Sequence, residues 1–301
     1  MSRAVESVTT KRKQSKPGKS GKKSKPKKPQ RTAKNADKFE LYQLSVQDPE
    51  TDALFYREYF NELVGRPAEV LREDFSGTSL LCCEWVKLEP RHRSIGVELD
   101  PETIAWAREH NVDSRLEEEQ KGRVTLLEED VRTVKTQKAD IIAALNFSYC
   151  FFMTRDELRN YFKACKTGLK PDGILILDSW GGSETQVDEM EEDRRIKDKG
   201  GNFTYVWEQR DFDPVTYQSE CRIHFTFDDG SEIRDAFGYR WRQWTLPELQ
   251  ELMTEAGFHD VHVLWEGTDG DGDGDGEYFR ADRGDADPSW IAYVVGRKNP
   301  V

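Results

Sequence analysis

Val70-Leu71-Arg72-Glu73-Asp74-Phe75-Ser76-Gly77-Thr78-Ser79 opens as a short apolar strand, ends in two acids and breaks into a loop of small residues. About twenty residues on, Ile95-Gly96-Val97-Glu98-Leu99-Asp100-Pro101 repeats the plan, a buried strand with a carboxylate at its exit. Two such strands in succession place one acid beside a glycine turn. They place the second where it can accept hydrogen bonds from ribose hydroxyls. This is how a nucleoside cofactor is held.

Around that pair, apolar runs and helical patterns alternate. Strands are expected over 69–73, 94–98, 124–128, 139–144 and 174–178, with helices near 79–87, 101–109 and 155–168, after one or two lead-in helices beginning at Phe39. Continuous apolar strands separated by amphipathic helices imply a parallel sheet covered on both faces, an α/β, Rossmann-like architecture. Beyond it the pattern changes. The β-rich runs 203–209, 217–227 and 232–241 read as an antiparallel meander inserted over 180–243. A helix over 246–256 follows, and the runs 261–266 and 290–296 close the chain as a hairpin around a Gly and Asp loop. An antiparallel ending, and the lack of G-x-G-x-x-G, disfavour a nicotinamide-dependent oxidoreductase.

Charge divides the chain at about the same place as composition. Residues 1–34 carry 13 Lys and Arg against Glu6 alone, so a chain of net −12 has a body of −24. Such a body repels phosphate backbones, which weighs against a catalytic domain that grips nucleic acid. Residues 11–34 hold almost no apolar side chains and three prolines, too little to offset the entropy of ordering, so 1–37 is expected to be a disordered basic tail and 38–301 the folded domain. The tail reads either as a weak tether to nucleic acid or an anionic surface, or as a solubilising extension. Cys82, Cys83, Cys150, Cys165 and Cys221 are odd in number and lack C-x-x-C or metal spacing. With no apolar run long enough to span a membrane and no apolar leader, they point to reduced thiols in a cytoplasmic protein.

Five stations in order make the stretch 39–296 resemble the class I S-adenosylmethionine-dependent methyltransferases. They are the acid and glycine loop after the first strand, the acid after the second, Glu129-Asp130-Val131, Asn146-Phe147-Ser148-Tyr149, and Leu169-Lys170-Pro171-Asp172-Gly173. The meander before Trp244-Thr245-Leu246-Pro247-Glu248-Leu249, and the phrase Glu255-Ala256-Gly257-Phe258, resemble its small-molecule branch, which includes glycine and amino-sugar N-methyltransferases, and a bacterial set of that class. The resemblance implies a seven-stranded sheet and S-adenosylmethionine as cofactor. It implies Glu73 or Asp74 as the first acid, with Phe75, Ser76, Gly77 and Thr78 as the loop passing the methionine part. Glu98 would take the ribose hydroxyls and Leu99 pack on adenine. Asp130 and Val131 would meet the adenine edge, and Asn146, the last of the cofactor-binding set, would stand where acceptors approach. Where the family favours glycine this chain has Phe75 and Ser79, leaving Gly77 alone of three. For any one acid, capping of the following helix is an equal account.

Methyl transfer from a sulfonium is an in-line displacement, so alignment and water exclusion matter most, and a base is needed only for a protonated nucleophile. Tyr149 and His224 are the candidate catalytic side chains. Tyr149, Trp180, Trp207 and Tyr239 line an aromatic acceptor pocket in one reading and are ordinary core in the other. Asn146 to Tyr149 is not N-P-P-Y, which counts against adenine or glutamine as substrate. Asp271, Asp273 and Asp275 fit the start of a calcium loop, yet Asp282 stands where glutamate is required, so no metal site is assigned. The expected function is methyl transfer to a nitrogen or oxygen of a small molecule. The alternatives are an RNA or protein methyltransferase delivered by the tail, and a nucleoside-binding module without catalysis.

Overall fold

In the computed structural model, which describes residues 30–268 and 274–300, the first strands have the burial that parallel pairing between helical layers demands. β1 (Val70–Asp74) and β4 (Ala139–Ala144) are buried along their whole length. With β2 (Arg93–Glu98), β3 (Val124–Glu128) and the long β5 (Leu169–Gly181) they form the parallel core of the main sheet. Before it come α1 (Lys38–Val46) and α2 (Pro49–Val64); between its strands lie α3 (Leu80–Leu88), α4 (Pro101–Ala107), the short α5 (Asp113–Arg115) and α6 (Glu118–Lys121), and α7 (Arg155–Gly168). The inserted segment folds as β6 (Glu189–Ile196), β7 (Phe203–Asp213), β8 (Gln218–Phe227) and β9 (Glu232–Arg242), a separate antiparallel sheet in that order. Then come α8 (Leu246–Glu255), β10 (His259–Thr268), β11 (Gly274–Ala281) and β12 (Trp290–Arg297).

The main sheet runs β3-β2-β1-β4-β5-β12-β10-β11, with β12 antiparallel to both β5 and β10. It has eight strands where the resemblance implied seven, because the chain after the Gly and Asp loop pairs as β11 on the edge of β10. The meander likewise gains a strand, β6, on its outer side. The Gly and Asp loop falls partly on 269–273 and the basic tail mostly on 1–29, stretches outside the described residues. The described end of that segment is packed: Arg31 is buried, bridges Glu40 (2.8 Å) and Asp198 (3.2 Å) and lies over the Phe203 ring, while Asp37 caps α1.

Strand alternation sends Leu71, Ile141, Ala143 and Ile176 to one face, under Tyr56 and Phe60 of α2 and Trp85 of α3. Ile142, Ala144, Leu175 and Leu177 pack on the other face, against Leu158 and Phe162 of α7 and Leu249 of α8. The helix ends obey local chemistry. Asp48 caps α2 ahead of Pro49, Gly65 ends it at φ 80°, and Thr154 with Glu157 makes a capping box on α7.

Gly96, midway along β2, decides how near the post-β1 loop can come to the sheet. A Cβ there would lie 2.9 Å from each of Leu126 Cδ2, Ser76 Oγ and Ser79 Oγ. Gly96→Ala must therefore displace the Leu126 methyl and the paired Ser76 and Ser79 hydroxyls, at a cost of about 1–3 kcal/mol. Denaturant melts of wild type and variant check this, and an unchanged midpoint would show the loop to be freer than its packing indicates.

Candidate active site

At the carboxyl ends of β1, β2 and β4 lies a cavity of about 380 Å³, roofed by α1 and by β9 of the second sheet. Its floor is the post-β1 loop. Phe75, Gly77 and Ser79 all take left-handed backbone, with φ 56°, 48° and 53°. Only glycine adopts that conformation without steric cost, so the loop keeps the geometry of a glycine-rich turn with two substituted positions. What holds them is packing and hydrogen bonding. The Phe75 ring sits 5.7 Å from that of Tyr161 and 6.0 Å from that of Phe152, and Ser79 Oγ donates to Ser76 Oγ at 3.0 Å.

The two acids of β1 part company because neighbouring strand residues face opposite sides. Glu73 lines the cavity and accepts from Cys82 Sγ at 3.2 Å, with its carboxyl pushed up to about 8 by burial. Asp74 points away from the cavity. Its carboxylate takes Arg72 Nε at 2.6 Å, Arg72 Nη2 at 3.1 Å and the Tyr161 hydroxyl at 3.0 Å. Since Glu73 titrates near 4.5 ordinarily and near 8 when folded, the unfolded chain sheds a proton between those values that the folded chain retains. Stability attributable to this group thus falls as pH rises through that window. Glu73→Gln removes the slope. Its melting temperature relative to wild type should climb steadily from pH 5 to pH 8, and parallel curves would rule the burial effect out.

Glu98 stands at the end of β2 with its carboxylate between loop and cavity. Oε2 accepts from the Gly77 N–H at 3.0 Å, and Oε1 from the N–H groups of Leu99 (2.8 Å) and Asp100 (3.0 Å). Oε2, with a single donor, retains acceptor capacity on the cavity side. Leu99 is 65% exposed at the mouth. Asp130 and Val131 line the same wall, as do Ser76 and Thr78. Asp130 is gripped by Arg132, whose Nη2 and Nε donate to its Oδ2 at 2.6 and 3.1 Å, holding the carboxyl below its ordinary value.

Asn146 reaches the cavity from the loop after β4, where it and Phe147 have φ 53° and 57°. Asp178, in β5 one residue past its pairing with β4, fixes this strained pair by accepting both N–H groups, at 2.6 and 3.0 Å, and burial pushes its carboxyl up to about 7. The two candidate catalytic side chains lie elsewhere. Tyr149 is 1% exposed in the hydrophobic core and lines no part of the cavity. His224 faces the far side of the second sheet, since its neighbours Ile223 and Phe225 take the packed side. Its Nδ1 accepts the Asp235 N–H at 2.8 Å, which leaves Nε2 to donate to Glu208 at 3.0 Å. Glu208, His224 and Asp235 are the one cluster with metal-ligand spacing among the described residues, and both imidazole nitrogens are already engaged in its hydrogen bonds.

Of the aromatic set read from sequence, Tyr239 lines the cavity, whereas Trp180 and Trp207 pack behind it against Trp241. Sequence reasoning missed Phe39 and Tyr42 on α1 and Phe237 and Trp241 flanking Tyr239. The signal was present: i, i+3 spacing on a helix and i, i+2, i+4 on a strand each put aromatics on one face.

Comparison with known proteins agrees with this geometry. Residues 76–177 match the family described as "Methyltransferase domain". YqeM of Bacillus subtilis (strain 168), a provisionally designated methyltransferase, is 23% identical over 194 residues, covering 62% of this chain and 74% of that protein. Among solved structures, Streptomyces venezuelae DesVI superposes with TM-score 0.65 at 19% identity, over 87% of this chain and 98% of its own. CalS10, an amino pentose methyltransferase from Micromonospora echinaspora solved with S-adenosylmethionine bound, gives 0.62 at 17% identity, over 86% and 95%. The sugar N-methyltransferase KedS8 from Streptoalloteichus gives 0.59 at 18%, over 87% and 92%. The structural likeness carries the fold, and the domain match carries the class of chemistry.

Proposed function

We propose that this chain, an S-adenosylmethionine-dependent methyltransferase, delivers the methyl group to a nitrogen or oxygen of a small molecule that enters between the main sheet and the second sheet. The observation that carries the reading is one cavity lined by both acidic and aromatic side chains. Glu73 and Glu98 from the ends of β1 and β2 line it, and so do aromatic side chains of α1 and β9. The small-molecule acceptor also accords with relatives whose descriptions name sugar acceptors.

The residues present suit the cofactor. Glu98 offers an acceptor oxygen to a ribose diol, Leu99 an apolar surface to a base, and Glu73 a buried carboxyl oxygen that can accept from an ammonium group. When bound, S-adenosylmethionine supplies a methyl group on a cationic sulfur, open to in-line attack. The chain's own contribution is positional. The loop over 75–79 and Glu98 orient the donor, Asn146 on its Asp178-pinned loop borders the acceptor's approach, and β9 of the second sheet walls the cavity.

The test is release of S-adenosylhomocysteine from full-length protein offered separate pools of small amines and alcohols, RNA, and unrelated protein. Turnover with a small-molecule pool, unchanged on removal of residues 1–29, is expected. Turnover confined to RNA or protein would replace this reading with a tail-delivered macromolecular methyltransferase, and binding of cofactor with no turnover on any pool would favour a nucleoside-binding module.

A further inference from the structure

Glu73 differs from the other acids of the cavity wall in its surroundings. Glu98 collects three backbone N–H groups, Asp130 is paired with Arg132, and Glu129 is exposed. Glu73 is 4% exposed and has one donor, the Cys82 thiol at 3.2 Å, which is a weak one. The titratable groups facing it are Asp52 from α2, Cys82 and Cys83 from α3, and Glu98 from β2, and none of them is a cation. Its strand partners are Gly96 and Ala143, and the loop over 75–79 holds no titratable side chain. A carboxylate in that position would be an interior charge with no counter-charge, a costlier state than the neutral acid. Glu73 accordingly holds its proton at neutral pH, its carboxyl being pushed up to about 8.

The missing cation is one that the ligand brings. Glu73 and Glu98 line the same cavity, and Glu98 Oε2 holds the Gly77 N–H, so a ligand whose ribose meets Glu98 has the loop to lead its amino-acid end toward Glu73. An ammonium group within hydrogen-bond reach favours the ionised carboxyl twice over, by its charge and by its N–H donors. The Glu73 O–H bond then breaks, its proton passes to solvent, and the carboxylate oxygen left behind accepts the ammonium N–H.

Resting on the methyltransferase reading, we infer that the cofactor's ammonium group takes the place of the Glu73 proton, so that each molecule of S-adenosylmethionine or S-adenosylhomocysteine that binds releases a proton to solvent. Affinity is thereby tied to pH. Glu73 is neutral in the free protein below about 8 and ionised in the complex, so the complex holds fewer protons and gains on the free protein as pH rises toward that value. Above it the free protein is already ionised, and the dependence fades. Asp52 and Asp178, both pushed up to about 7, titrate in the same window but line no part of the cavity.

The experiment is calorimetry on the full chain at pH 7 in phosphate and in Tris, whose ionisation enthalpies differ, so that the gap between the observed heats counts protons released. S-adenosylhomocysteine should release about 0.9 proton per molecule bound to wild type. 5′-Methylthioadenosine, which keeps the nucleoside and lacks the ammonium group, should release none, and Glu73→Gln should release none with either ligand. The wild-type dissociation constant for S-adenosylhomocysteine should be weaker by about ten-fold or more at pH 6 than at pH 8, and that of Glu73→Gln nearly level. Matching heats in the two buffers on wild type overturn the inference, as does equal release by both ligands or by the variant. Those results leave the methyltransferase reading standing, because binding itself is seen in each. If wild type fails to bind S-adenosylhomocysteine at all, that reading falls first and takes the inference with it.

Discussion

Glu98→Ala should weaken S-adenosylhomocysteine binding by about 2–4 kcal/mol, roughly 30- to 700-fold, the worth of charge-assisted hydrogen bonds to a buried diol less what water recovers. Part of the effect will be indirect. The Glu98 carboxylate also collects the N–H groups of Gly77, Leu99 and Asp100, so its loss loosens the loop as well as the ligand. Glu98→Gln separates the two contributions, since one amide oxygen still accepts from backbone while the charge is gone. Its affinity should fall between those of wild type and the alanine variant, with a melting temperature closer to wild type. Calorimetry and thermal melts on the three proteins decide it. An alanine variant that binds within three-fold of wild type would remove Glu98 from the site.

The largest stability loss is expected at Asp74, next to the cavity but not in it. Arg72 and Asp74 are 1% and 0% exposed, and the pair is closed by Tyr161 and by the carbonyl of Val131, which accepts from Arg72 Nη2 at 3.2 Å. Asp74→Ala strands a guanidinium in the interior, and breaking a buried pair in this way costs about 3–5 kcal/mol. Replacing both partners, as Arg72→Met with Asp74→Leu, should recover most of that loss, because two well-packed apolar side chains no longer need each other's charge. Urea unfolding of the single and double variants gives the comparison. A single variant losing under about 1 kcal/mol would mean that water reaches the guanidinium, contrary to its burial.

These outcomes separate Glu73 from Asp74, a choice the sequence leaves open. Their spacing shows that one faces the cavity and the other the core, but not which, because alternation fixes parity and not the face. The same gap accounts for His224. Its place mid-strand was readable, whereas its direction depends on Ile223 and Phe225 being drawn into the cluster around Leu41 and Phe203. The parallel core was legible because each of its strands centres on a short apolar run and helices such as α2 and α7 carry their own caps. β6 was not, since Glu189-Met190-Glu191-Glu192-Asp193-Arg194-Arg195-Ile196 has no apolar periodicity and is a strand only through pairing with β7. β11 follows a glycine-rich run and is likewise defined by its partner. The left-handed backbone at Phe75 and Ser79 runs against local preference and is held by tertiary contacts. Asp178 escaped notice because β5 runs on past it to Gly181, and an acid near the end of an apolar run looks like a loop acid until the N–H groups it accepts are seen.

A crystal structure of the full chain with S-adenosylhomocysteine puts the whole assignment at risk in one step. A ribose hydroxyl within about 3.2 Å of a Glu98 carboxylate oxygen, with the amino-acid end passing Gly77 toward Glu73, is the expected result. Ligand density away from the ends of β1 and β2, or a ribose that leaves Glu98 facing solvent, would contradict it.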